Sequence, residues 1–134
     1  MPVSGLNHYT IRCAPSELPM LDDFYTRVIG LEKGRRPVIP APGTWLYAGG
    51  MPIVHLYAYL DAVEAPPTPV TGPLDHISFR GHDLEGTKAH LQANGIEFMQ
   101  APVPGWNIEQ VFVRDPKGLK IELTFFMDEE PGRA

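Results

Sequence analysis

The chain has 134 residues, 43% of them hydrophobic, and sets 11 basic side chains against 16 acidic ones for a net charge of −5. That is enough apolar material for one folded domain, and the acidic balance excludes the basic footprint of a nucleic-acid-binding protein. A lone Cys13 excludes an internal disulfide framework and a multi-cysteine zinc site, no apolar run approaches the roughly 18 residues of a membrane span, and the N-terminus has no secretion pattern, so the expected location is the reducing cytoplasm, off the membrane.

In chain order, Leu6-Asn7-His8-Tyr9-Thr10-Ile11-Arg12 alternates as a strand and offers one imidazole from a half-polar face. Ser16 as N-cap, Pro19 in the first turn and the spacing of Leu21, Phe24, Tyr25 and Val28 predict an amphipathic helix closed at Gly30. Leu31 starts a second strand, and the Pro- and Gly-rich stretch 34–43 is a loop with a short extended piece. Thr44–Ala48 and Ile53–Tyr59 read as strands around a Gly49-Gly50 turn. On the second of these, His55 shares a face with Ile53, Tyr57 and Tyr59.

Residues 62–73 hold four prolines and read as a stiff connector between two modules, about 4–61 and about 74–127. Leu74-Asp75-His76-Ile77-Ser78-Phe79-Arg80 then repeats the first strand almost position for position. A helix from Leu84 to Asn94 capped by Asp83, a short strand at Ile96–Met99, and a loop 100–107 carrying Trp106 follow. A final hairpin, Ile108–Arg114 and Gly118–Phe125, turns at Asp115-Pro116-Lys117-Gly118 and places Lys120, Glu122 and Thr124 on one face. The acidic tail from Asp128 is expected to fray.

His8 precedes His55 by 47 residues (55 − 8), and His76 precedes Glu122 by 46 (122 − 76). Each module thus carries two metal-ligand types at matched places. If the modules pack with approximate two-fold symmetry, His8, His55, His76 and Glu122 converge on one divalent transition metal. Glu122 lies between Ile121 and Leu123 on a strand that should be half buried, where a carboxylate needs a metal or basic partner. His55 serves equally as a direct ligand or as a group one layer out. His82 and His90 read as surface imidazoles. Arg12, Arg80 and Gln110 point to the site face, and Tyr57, Tyr59, Trp106 and Phe112 are candidates to line an apolar pocket.

Two tandem βαβββ modules, each opening on a His-bearing strand (Asn7-His8-Tyr9 and Asp75-His76-Ile77), with Phe112-Val113-Arg114-Asp115-Pro116 through Lys120-Ile121-Glu122-Leu123 in the last hairpin, resemble the glyoxalase/bleomycin resistance/dioxygenase superfamily, the vicinal oxygen chelate proteins. The resemblance implies an α+β fold of curved mixed sheets forming a partial barrel around a metal. It also implies one divalent metal per site (Ni, Zn, Co, Mn or Fe) with His8, His76 and Glu122 as ligands and His55 in the fourth place, a small-molecule substrate chelated through vicinal oxygens, and a homodimer. Three functions stay open. In a glyoxalase-like lyase or isomerase, Glu122 is the base with His55 as its partner; a non-haem iron dioxygenase would use His8, His76 and Glu122 as its triad; a sequestering protein would do no chemistry. Substrate-binding candidates are Arg12, Tyr57, Arg80, Trp106, Gln110 and Phe112.

Overall fold

The computed structural model describes residues 2–130 and divides into two compact units, Met1–Ala65 and Pro66–Ala134. Each unit is one βαβββ module built on a four-stranded mixed sheet. No helix among the described residues is long and apolar enough to cross a membrane.

In the first unit β1 (Tyr9–Cys13) runs parallel to β4 (Met51–Ala58), which pairs antiparallel with β3 (Gly43–Ala48), and β3 with β2 (Glu32–Gly34). Alternation along β4 buries Val54, Leu56 and Ala58 on one side, and the helix over Leu18–Asp23, with Leu21 fully buried, packs against β4. The β3–β4 hairpin turns at Gly49 and Gly50, with φ +57° and +80°, a pair of left-handed residues that suits the strands' twist.

The helical segment differs from the regular helix expected. It runs as a 3-10 turn (Pro15–Glu17), one α-helical stretch, α1 (Leu18–Asp23), and a π turn (Phe24–Val28), closed at Gly30 as predicted. Ser16 lies inside the first turn and is not the cap. Ala14 stands at that position, and the buried Glu17, three residues on, reaches back to accept from the Ala14 amide at 2.9 Å. The wider turn is seen in the Ile29 amide bonding to the Phe24 carbonyl, five residues back, at 3.0 Å.

The second unit repeats the plan. β5 (His76–Arg80) runs parallel to β8 (Lys120–Phe126), β8 pairs antiparallel with β7 (Ile108–Arg114), and β7 with the edge strand β6 (Met99–Pro102). Val111, Ile121, Phe125 and Leu91 of α2 (Leu84–Ala93) form its fully buried core. Asp83 caps α2 as expected, accepting from the Gly86 amide at 3.1 Å. The strand expected at 96–99 begins only at Met99. The Ile96 amide is bound to the Leu91 carbonyl at 2.9 Å, a helix-closing bond that keeps Ile96 out of the ladder. Pro102, which cannot donate, is tolerated because β6 is an edge.

The start of the tail, expected to fray, is tied down, and the stiff connector is anchored. The tail folds into a 3-10 turn, Met127–Glu129, and the buried Glu130 accepts from the backbone amides of Asp83, at 2.9 Å, and Leu84 at the start of α2. Part of the 62–73 connector docks on the Asp115-Pro116-Lys117-Gly118 turn through the Thr68 amide and the Lys117 carbonyl, 3.1 Å apart. Asp115 Oδ1 organises that turn by accepting from the Lys117 amide at 2.8 Å and the Leu119 amide at 2.9 Å. Gly118 has φ +91°, and a Cβ there would sit 1.9 Å from the Thr68 carbonyl oxygen. Gly118→Ala is therefore expected to cost upwards of about 2 kcal/mol in a urea unfolding series, from strain plus a backbone clash; a midpoint within error of wild type would contradict this packing.

Candidate functional site

The strand registers set equivalent pairs in the two units. In the first, Thr10 lies opposite His55 and Arg12 opposite Tyr57; in the second, Ser78 lies opposite Glu122 and Arg80 opposite Thr124. The residue two places after each first-strand histidine thus faces the second donor of its unit. On the neighbouring strand Trp45 stands opposite His55 and Phe112 opposite Glu122, so each donor pair has an aromatic beside it.

In the second unit His76 Nε2 lies 3.4 Å from Glu122 Oε1. Glu122 is buried, and its carboxylate is held on both oxygens. Oε1 accepts from Gln110 Nε2 at 3.0 Å, and Oε2 accepts from Ser78 Oγ at 2.9 Å and from Thr124 Oγ1. These donors satisfy a carboxylate that would be costly to bury alone. The Phe112 ring meets His76 edge-on at 6.4 Å. A pocket of about 490 Å³ opens beside it, lined in part by Met99, Phe112, Arg114 and Lys120.

In the first unit the His8 and His55 rings stack at 3.9 Å, and Trp45 stacks on His55, also at 3.9 Å. His55 is buried and its Nε2 is 3.1 Å from the Pro52 carbonyl oxygen, which can only accept, so Nε2 carries the proton and Nδ1 the lone pair. Burial lowers the His55 pKa below 6.5, the positive fields of His8 and Arg36 add to this, and the Pro52 hydrogen bond opposes it. Arg12 lies 4.9 Å over the Tyr59 ring, and Tyr57 and Tyr59 are 4.8 Å apart.

The sequence-predicted residues therefore gather as two groups, His8, His55 and Tyr57 in one unit and His76, Gln110, Phe112 and Glu122 in the other. Arg80 is engaged elsewhere, in an ion pair with Glu129 and 4.1 Å over the Phe126 ring. Trp106 is exposed in the 103–107 turn. His82 and His90 are exposed, as expected. Sequence reasoning missed Trp45, Ser78 and Thr124 as neighbours of the donors. Ser78 was signalled as the hydroxyl position of the repeat, and Thr124 by alternation with Glu122; Trp45 needed the β3–β4 register.

Within each unit the donor chemistry suits a divalent metal in part. His8 Nδ1 and His76 Nδ1 are each 2.8 Å from a side-chain oxygen of the preceding residue, Asn7 Oδ1 and Asp75 Oδ2, so Nδ1 is the bracing nitrogen of both rings and Nε2 the one available to a metal. Glu122 Oε1 beside His76 adds a carboxylate. His55 presents Nδ1, but its ring is only 14° from parallel to that of His8, so an ion in the plane of one ring lies well out of the plane of the other. Joint ligation takes a rotation of one ring. Among the described residues, no group of three or more His, Cys, Asp or Glu side chains is gathered to hold a metal ion.

The lowered His55 pKa has a consequence for stability. In the metal-free protein, as pH falls below about 6.5 the unfolded chain binds a proton that the folded chain still refuses, so stability is lost toward the folded pKa. The urea midpoint is expected to fall on acidification through this window, and less steeply in His55→Phe, which keeps a stacking ring without the titration. Equal slopes in both proteins would contradict the assignment.

Comparison with known proteins gives one consistent answer. A model described as Glyoxalase/Bleomycin resistance protein/Dioxygenase superfamily matches residues 5–123. The Arabidopsis thaliana protein named Glyoxylase I 4 is 31% identical over 125 residues, covering 90% of this chain and 70% of its own. Among solved structures, a glyoxylase/bleomycin resistance protein/dioxygenase domain from Frankia sp. EAN1pec superposes with a TM-score of 0.74 at 17% identity, covering 92% of this chain and 98% of that one. A lactoylglutathione lyase from Agrobacterium tumefaciens gives 0.66 at 21% identity, covering 93% and 96%. These structural likenesses show the fold.

Proposed function

The chain belongs to the glyoxalase/bleomycin resistance protein/dioxygenase superfamily, and on that premise we propose that it is a divalent-metal-dependent lyase or isomerase acting on a small molecule with two adjacent oxygens. The observation that carries this reading is the Glu122 carboxylate, buried and fixed by Ser78, Thr124 and Gln110, with a histidine nitrogen 3.4 Å away. The similarity to Glyoxylase I 4 supports a lyase within that family.

In this proposal His8, His76 and Glu122 hold the metal, with His55 as fourth donor once its ring turns. A divalent cation there would polarise a carbonyl and its neighbouring oxygen and make the adjacent carbon acidic. Glu122 is the carboxylate that would loosen from the metal and take the proton from that carbon, with Ser78 and Gln110 keeping it oriented as it does so. His55, with its pKa lowered, is neutral near pH 7 and offers Nδ1 as a second proton carrier. Phe112, Tyr57 and Trp106 supply apolar surface, and Arg12 and Gln110 supply donors to polar groups of the substrate, a role in which Arg80 takes part only if it leaves Glu129. A homodimer in the cytoplasm is part of the same proposal.

The stack that holds His55 favours a second reading. Three protein donors leave a six-coordinate ion three open positions, the number that a non-haem iron dioxygenase binding its substrate bidentately requires.

Elemental analysis of purified protein, with Ni, Co, Zn, Mn or Fe(II) restored after chelation, separates these readings. Nickel, cobalt or zinc with solvent deuterium entering an α-hydroxycarbonyl substrate under argon supports the lyase or isomerase. Iron with oxygen uptake supports the dioxygenase. No bound metal and tight retention of a small molecule would overturn both in favour of a sequestering protein. His76→Ala and Glu122→Ala are each expected to lower metal stoichiometry, and unchanged stoichiometry in both would sink the ligand assignment.

A further inference from the structure

The two first-strand histidines are braced by different chemistry. His8 Nδ1 faces the neutral amide oxygen of Asn7, whereas His76 Nδ1 faces the carboxylate of Asp75, both at 2.8 Å. The same carboxylate oxygen of Asp75 lies 2.8 Å from Lys120 Nζ. Lys120 is the in-register partner of His76 on β8, two residues before Glu122; the corresponding place in the first unit, two before His55, is Ile53. The duplicated module has thus acquired a charged brace on one side only.

From these contacts we infer that Asp75 and Lys120 are positioning residues, which act through His76 by holding the proton on its Nδ1 and so leaving Nε2, the nitrogen nearer Glu122, as the one available to a metal. The chain of contacts is continuous: Lys120 Nζ to Asp75 Oδ2, Asp75 Oδ2 to His76 Nδ1, and His76 Nε2 to Glu122 Oε1 at 3.4 Å. Asp75 Oδ2 is a carboxylate oxygen set between the Lys120 ammonium and the His76 ring nitrogen, so towards both it can only accept. An anionic acceptor on Nδ1 orients the ring and makes Nε2 the better electron donor. Asp75 is 71% exposed and Lys120 half-buried, so the ion pair adds little to stability. The inference deepens the metal-dependent reading of this site and rests on it for its functional consequence, but the brace itself is a property of the metal-free chain.

The test is therefore made first without metal. In the full-length, chelator-treated protein, long-range proton–nitrogen NMR correlations report which nitrogen of each neutral imidazole is protonated. The expected wild-type pattern is Nδ1–H for both His8 and His76. Asp75→Ala should bring the Nε2–H form into the His76 signals, and Lys120→Ile should do so to a smaller degree. His8, braced by Asn7, should keep its pattern in both variants, which also shows that the fold survives. An unchanged His76 pattern in Asp75→Ala would overturn the inference, as would a wild-type His76 protonated on Nε2. In a second arm, zinc affinity by competition with a chromophoric chelator is expected to fall about 10- to 100-fold in Asp75→Ala. A shifted tautomer with unchanged zinc affinity would leave the brace standing and refute His76 as a ligand.

Discussion

The constraint on which the structure depends is the parallel pairing of the first and last strands of each unit. It is a fixed register, Thr10 opposite His55 and Ser78 opposite Glu122, that places each donor two positions along from its unit's other donor. A slip by one residue would send His55 into the core beside Val54 and Leu56, and Glu122 beside Ile121 and Leu123. The buried alternate residues prevent that slip, because Val54, Leu56, Ile121 and Phe125 are almost wholly removed from water. Packing energy on one face of each sheet thus holds the polar chemistry on the other.

The two units keep the same backbone plan and differ in what they place on it. The first carries a stack of three rings, His8, His55 and Trp45, with one imidazole proton spent on the Pro52 carbonyl. The second carries a carboxylate with three hydrogen-bond donors and a histidine with a charged brace. The first unit is therefore the more apolar and the less strongly oriented of the two donor sets, and the second is the better fixed. Duplication followed by this divergence gives one chain two kinds of surface for a ligand, an aromatic one and an ionic one.

Much of this was legible in the sequence because the repeat is local. The period-two alternation of 74–80, of 53–59 and of the last strand predicted which side chains share a face, and the matched Leu-x-His-x-x-x-Arg strands predicted two modules. What escaped depended on hydrogen bonds that the alternation of apolar residues does not report. Ala14, with Glu17 reaching back to its amide, stands at the cap of the first helical turn in place of Ser16, Glu130 folds the acidic tail back onto the start of α2, and Ile96 is drawn out of its strand by Leu91. The same holds in the site, where Trp45 joins His55 only through the hairpin register and Arg80 is diverted to Glu129, 49 residues away. The Asp75–Lys120 contact spans two strands and could not be read from either.

The most direct test of the account is the coordination shell of the loaded protein. X-ray absorption on nickel- or cobalt-reconstituted protein should give a shell of nitrogen and oxygen at about 2.0–2.2 Å, with the outer-shell scattering of at least two imidazoles. That scattering should weaken by one ring in His76→Ala and in His8→Ala, and keep both rings with one oxygen fewer in Glu122→Ala. A shell of oxygen alone, the same in wild type and all three variants, would contradict it.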